Sequence, residues 1–138
     1  MIDSITVEVF IDAGMEKVWQ YFTDTEHIKN WYFASDKWHC PDAANDFVVD
    51  GKFLIRMEAK GGTLGFDFKG TNKEIIEFEE IKYILDDGRR VKVEFKHVGD
   101  KIHVVETFEP ETQNDRKLQK EGWQNILNNF KKYVESLN

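Results

Sequence analysis

With 138 residues the chain has the size of one ordinary domain, and 26 Asp+Glu against 19 Lys+Arg give a formal net charge of −7. That acidic balance, with no basic block beyond short pairs such as Lys131-Lys132, argues against nucleic acid and against docking on anionic membranes, since both present phosphate charge. No apolar run approaches the roughly 20 residues of a spanning helix, Met1-Ile2-Asp3-Ser4 lacks the regions of a signal peptide, and the single Cys40 offers no internal disulfide; the expected compartment is the cytoplasm.

Residues 5–11 alternate, with Ile5, Val7, Val9 and Ile11 on one face, and predict a strand. Asp12 then offers a helix N-cap. Met15, Val18, Trp19 and Phe22 follow at i, i+3, i+4 and i+7, the apolar face of a short helix. Thr23-Asp24-Thr25 breaks it and caps a second short helix carrying Ile28, Trp31 and Tyr32. Residues 33–50 lack a period and predict a loop with one short strand, extended only at 38–40 and 47–49.

Beyond Gly51 the period becomes two, punctuated at Gly61-Gly62, Glu79-Glu80, Asp86-Asp87-Gly88 and Gly99-Asp100. Strands are expected at 52–59, 65–78, 81–85, 90–98 and 101–108, joined as an antiparallel meander. The last segment, 115–137, predicts the longest helix: Leu118, Gly122, Ile126, Phe130 and Val134 form an i+4 row, with Trp123, Leu127 and Leu137 beside it. Such a wide apolar stripe must be buried against something broad.

Gly99-Asp100 fixes a register. If these are the two residues of a tight turn, Val98 faces Lys101, His97 faces Ile102, Phe95 faces Val104 and Val93 faces Glu106. Val91, Val93, Phe95, Ile102, Val104 and Phe108 then share one face with His97 and Glu106, while Lys92, Glu94, Lys96, His103 and Thr107 point to solvent. Glu106 is thus a carboxylate on the apolar face of a sheet, where an unpaired charge is costly and burial raises the pKa. Two readings stay open: a site group, or a structural one at a sheet margin or paired with Arg56 or Arg90. The same alternation groups Phe53, Ile55 and Met57; Phe66 and Phe68; and Ile81, Tyr83 and Leu85. With aromatic residues at 14% of the chain, these faces bound either a packed core or a cavity.

Several stretches together carry a resemblance: Val18-Trp19-Gln20-Tyr21-Phe22-Thr23-Asp24, Trp31-Tyr32, Asp50-Gly51-Lys52-Phe53, Arg56-Met57-Glu58-Ala59, Gly65-Phe66-Asp67-Phe68, Asp87-Gly88-Arg89-Arg90-Val91, Glu106-Thr107-Phe108-Glu109 and Gly122-Trp123-Gln124-Asn125-Ile126-Leu127. In order and spacing they resemble the SRPBCC or START-like superfamily, in its branch named after heat-shock chaperone ATPase activator homologues. The resemblance implies an α+β helix-grip fold over residues 1–138 as a single domain: a curved antiparallel sheet wrapped around the long C-terminal helix, with two short helices after the first strand. It also implies a hydrophobic ligand held between sheet and helix. Carried over by position, the ligand-binding candidates are Trp31, Trp38, Phe53, Met57, Phe66, Phe68, Tyr83, Phe95, Glu106, Trp123 and Phe130. Gly122, costly in mid-helix, is expected to allow close approach to the sheet or a ligand. The sequence departs from the family in having Asp50 where a Gly-Gly pair is usual, and Asn72 where Tyr usually follows Gly70-Thr71.

Metal chemistry is not expected, because His39 and Cys40 point to opposite faces if extended, and so do His97 and His103. There is no nucleophile elbow, phosphate loop or dinucleotide motif, and no cofactor is implied. The primary expectation is binding of a small hydrophobic or amphipathic molecule, Glu106 or Tyr83 orienting one polar group. The alternatives are a protein-interaction module resembling a chaperone cofactor, its partner on an exposed edge or the acidic surface, and a cyclase-like or hydrolase-like enzyme using Glu106 with Tyr83 or His97. Oligomeric state has no signal in the sequence.

Overall fold

The computed structural model describes residues 3–137. Its elements run β1 (Ile5–Ile11), α1 (Met15–Thr23), α2 (Thr25–Ile28), β2 (Trp38–Asn45), β3 (Lys52–Ala59), β4 (Gly65–Ile76), β5 (Glu80–Leu85), β6 (Arg90–Val98), β7 (Lys101–Phe108) and α3 (Arg116–Ser136). All seven strands form one antiparallel sheet in the order β1-β7-β6-β5-β4-β3-β2. It curls around α3 as a helix-grip fold. Consecutive strands from β2 to β7 are neighbours because tight turns join them; only β1 is brought in from a distance, pairing Ile5 with Phe108 through Ile11 with Ile102.

The β6-β7 hairpin has the register its turn dictates: Val98 opposite Lys101, His97 opposite Ile102, and Val93 opposite Glu106. Gly99 takes φ +61°, the left-handed conformation that a two-residue turn needs at its first position. Val91, Val93, Phe95, Ile102, Val104, Glu106 and Phe108 are buried together. His97 is not; two residues from the hairpin tip, it lies beyond the edge of the core and is exposed.

β1 is an edge strand whose free backbone groups would otherwise face solvent. Side chains of α3 cover them. Gln124 Nε2 donates to the Glu8 carbonyl at 3.0 Å, Lys131 Nζ donates to the Phe10 carbonyl, and the Asp12 N–H donates to Glu135 Oε2 at 2.9 Å. Asp12, expected to cap α1, is not its N-cap. Gly14 is the N-cap, because the chain first runs past α3 before it turns into the helix. Asp24 does cap α2, accepting from the Glu26 N–H, but that helix ends at Ile28, and Trp31 and Tyr32 lie in the turn beyond it.

The segment expected to be a loop with one short strand holds β2, eight residues long, which begins with the expected extended residues 38–40 and continues to Asn45. Its sequence lacks alternation because it is an edge strand with a register shift between His39 and Asp42, where Pro41 costs no ladder hydrogen bond. Residues 47–49, in contrast, form a bend and turn rather than an extended stretch. Asp50 there adopts φ +67°, a conformation that Asp tolerates better than most residues. Its N–H donates to the Asn72 carbonyl at 2.7 Å. Asn72 itself is buried, and its amide donates to Asn45 Oδ1, the Asp46 carbonyl and the Gly51 carbonyl at 3.0–3.2 Å. The two departures from the family pattern thus form one local device that closes the turn before β3. Strand β4 stops at Ile76, two residues short of expectation, where residues 77–79 make the turn.

The C-terminal half of α3 is packed solid. Phe130 lies 4.6 Å from Trp31 and 5.2 Å from Phe22 between ring centroids, and Phe22 and Trp19 each contact Phe95 edge-on. The N-terminal half faces open space.

Candidate functional site

That space is a cavity of about 580 Å³ between the inner sheet face and the first turns of α3. Strand alternation supplies one wall: Met57 from β3, Phe66 and Phe68 from β4, and Glu106 from β7. The helix supplies the opposite wall with Leu118, Gln119, Gly122, Trp123 and Ile126. Tyr32, Phe33 and Ala34, which follow α2, join Trp38 and Asn114 to complete the lining. Trp123 stacks on Phe108 with ring centroids 3.9 Å apart and nearly parallel planes, and meets Phe68 edge-on at 5.7 Å. Trp38 meets Phe66 edge-on at 5.9 Å. Phe66 and Leu118 are half exposed, so they border the opening.

Of the eleven residues the sequence singled out, Trp38, Met57, Phe66, Phe68, Glu106 and Trp123 line this cavity. Phe53 and Tyr83 line a separate pocket of only about 50 Å³, beside Asn45 and Asn72, with Phe68 shared between the two. Trp31, Phe95 and Phe130 line neither; all three are packed in the aromatic core, with Trp31 Nε1 donating to the Tyr21 carbonyl at 3.0 Å. A shared strand face or helix stripe does not tell which of its rings fill the interior and which bound a void. Of the two roles expected of Gly122, close approach to the sheet is not the one it has. A Cβ built there meets nothing within 4 Å, so this glycine widens the cavity instead of letting the helix touch the sheet.

Glu106 is 4% exposed, and burial pushes its carboxyl up to about 8. The structural partners envisaged for it are engaged elsewhere. Arg56 binds Glu58 and Asp67 at 2.9 and 3.2 Å, and Arg90 binds Glu109 at 3.0 Å. His97 sits four residues along β6 from Val93, the register partner of Glu106, about 13 Å away at strand rise. Among the described residues no Lys, Arg or His forms an ion pair with Glu106. A carboxyl raised in this way by burial is mostly protonated at neutral pH and then able to donate a hydrogen bond.

Tyr32 joins Glu106 in the cavity lining, and Tyr83 neighbours it from the smaller pocket. Burial, and then the Glu106 charge, hold the Tyr32 hydroxyl well above its ordinary value; burial, and then Tyr32, do the same for Tyr83. The two hydroxyls are close enough to hydrogen-bond. Gln119 closes the other side. Its amide donates to the Glu111 and Asn114 carbonyls at 3.0 and 2.8 Å, while its oxygen accepts from the Glu111 N–H at 2.9 Å. This fixes the loop between β7 and α3 at the cavity wall. Sequence reasoning missed both Tyr32 and Gln119. For Gln119 a signal existed, since it stands on the i+4 row of Trp123 and Leu127, a polar residue on an apolar stripe like Glu106. Among the described residues no cluster of His, Cys, Asp and Glu is placed to hold a metal ion.

Residues 12–135 match the family model described as activator of Hsp90 ATPase homolog 1-like protein. The chain belongs to this family. A solved structure of an AHSA1-like protein from Aeromonas hydrophila is 40% identical, with a TM-score of 0.91, covering 97% of this chain and 93% of its own. A protein from Cytophaga hutchinsonii is 46% identical with a TM-score of 0.83 over 96% and 92%. The Aha1 dimer from Colwellia psychrerythraea shares the fold at 17% identity, with a TM-score of 0.76 over 98% and 97%. No curated protein matches the sequence significantly. No helix among the described residues is long and apolar enough to cross a membrane.

Proposed function

We propose that this activator of Hsp90 ATPase homolog 1-like protein binds a small hydrophobic or amphipathic molecule between its sheet and α3. The observation that carries this reading is the cavity itself. Protein interiors close-pack wherever they can, and a cavity of about 580 Å³ lies within the range of small-molecule sites. Its lining is dominated by aromatic and aliphatic side chains with one buried carboxyl, the mixture that gives a ligand affinity from its body and orientation from one polar group.

Native mass spectrometry of the purified protein, with organic extraction and a thermal-shift screen of lipids and polycyclic aromatics, tests the reading. A co-purifying small molecule, or a melting temperature that rises with compound concentration, is expected. A clean apo mass and no shift with any class refutes it. The family description favours a second reading, contact with a chaperone ATPase of the Hsp90 type. Stimulation of that ATPase by the purified protein, reduced by reversing charges on its acidic surface, would support the second reading over the first.

A further inference from the structure

We infer that the cavity selects an uncharged ligand whose carbonyl or ether oxygen accepts a hydrogen bond from the Glu106 carboxyl. This inference rests on the cavity-binding reading and adds the chemistry of the ligand's polar end. Glu106 lines the cavity on the sheet side. Its register partners are Val7 on β1 and Val93 on β6, both fully buried and apolar. The titratable groups around it are Tyr32, beyond α2, and Tyr83 on β5, both held neutral by burial. From β3 and α3 the cavity receives Met57, Trp123 and Gln119, none of which titrates. The chain has 19 Lys+Arg, yet among the described residues no cation forms an ion pair with this acid.

Three ligand classes meet this lining differently. A carboxylate ligand would have to bury its own charge against apolar walls with no cation among the described residues to pair it, so fatty-acid-like anions are disfavoured. An ammonium ligand needs Glu106 ionised, and near neutral pH it loses about tenfold in affinity to removing that proton first. A neutral acceptor takes the proton Glu106 already carries. Gln119 cannot substitute as donor, because its amide is engaged by the Glu111 and Asn114 carbonyls.

The test is a series sharing one apolar body: para-acetylbiphenyl, para-ethylbiphenyl, biphenyl-para-carboxylate and para-(aminomethyl)biphenyl. Binding to the full chain and to Glu106→Gln is measured by isothermal titration between about pH 6 and about pH 9.5. The ketone is expected to bind about fivefold tighter than the ethyl compound near neutral pH, and the carboxylate weakest. The ketone's affinity is expected to hold up to about pH 7 and to fall about fourfold by pH 9, toward that of the ethyl compound, as the acid ionises. Glu106→Gln, which retains an N–H donor, is expected to bind the ketone with no such pH dependence.

The inference is overturned if the amine binds best and gains affinity as pH rises through about 8, or if ketone and ethyl compounds bind equally at every pH. In either case the cavity still binds, and the broader reading stands. Failure of all four compounds to bind overturns this inference, and with a clean apo mass and no thermal shift from any class it overturns the broader reading as well. Unfolding of Glu106→Gln, checked by circular dichroism, leaves the wild-type pH profile and the ketone-to-ethyl ratio to decide.

Discussion

Replacing Glu106 with Gln isolates the electrostatic cost of the buried acid. The carboxyl stands at about 8 in the folded protein against an ordinary 4.5. Between those values the folded state keeps a proton that the unfolded chain has released, so stability falls as pH rises from about 4.5 and levels off above about 8. At about 1.4 kcal/mol per pH unit, the cost reaches about 3 kcal/mol near neutrality and about 5 kcal/mol at pH 8 and above. This is a large share of a typical domain's 5–15 kcal/mol. Glutamine matches the protonated acid in shape and polarity and never ionises. The two proteins should therefore be nearly equally stable around pH 4.5, and the variant should gain on wild type by about 1.4 kcal/mol for each pH unit up to about 8. Urea denaturation followed by tryptophan fluorescence at four pH values measures the difference, in which all other titrating groups cancel. A difference independent of pH would show that Glu106 titrates normally and would refute its placement in a dry wall.

Trp123→Ala removes the ring stacked on Phe108 and enlarges the cavity; a stability loss of about 2–3 kcal/mol in denaturation is expected, with weaker binding of any compound that raises the wild-type melting temperature. Phe68→Ala should weaken binding similarly, since that ring borders both voids. Gly122→Ala is expected to stabilise α3 by up to about 1 kcal/mol, because the added methyl meets nothing within 4 Å; calorimetry that showed destabilisation would mean the helix sits closer to the sheet. Asn72→Ala strips the buried acceptors of Asn45, Asp46 and Gly51 of their donor, and a loss of about 2–3 kcal/mol is expected by urea titration.

The strands from β3 onward were legible because each has period-two alternation between tight turns, and the β6-β7 pairing because a two-residue turn leaves no freedom of register. Glu106 could be placed inside the sheet on that basis alone. β2 was legible only at 38–40, because the strand state of the rest comes from pairing with β3 and not from its own pattern. Asp12 was misassigned as a cap because α1 starts only after Gly14, the Asp12 backbone being tied to Glu135, a residue 123 positions away that no local window contains.

Sequence by itself therefore determined the sheet's meander, the long amphipathic helix and the acid on the inner face, all properties of local periodicity. Tertiary structure alone decided that Trp31, Phe95 and Phe130 fill the interior while Trp38, Phe68 and Trp123 bound a cavity. It also decided that Arg56 and Arg90 are committed to other carboxylates, leaving Glu106 unpaired by any cation among the described residues. Periodicity fixes which way a side chain points; whether it then meets another side chain or empty space depends on how far α3 stands from the sheet, a distance set by the whole fold at once.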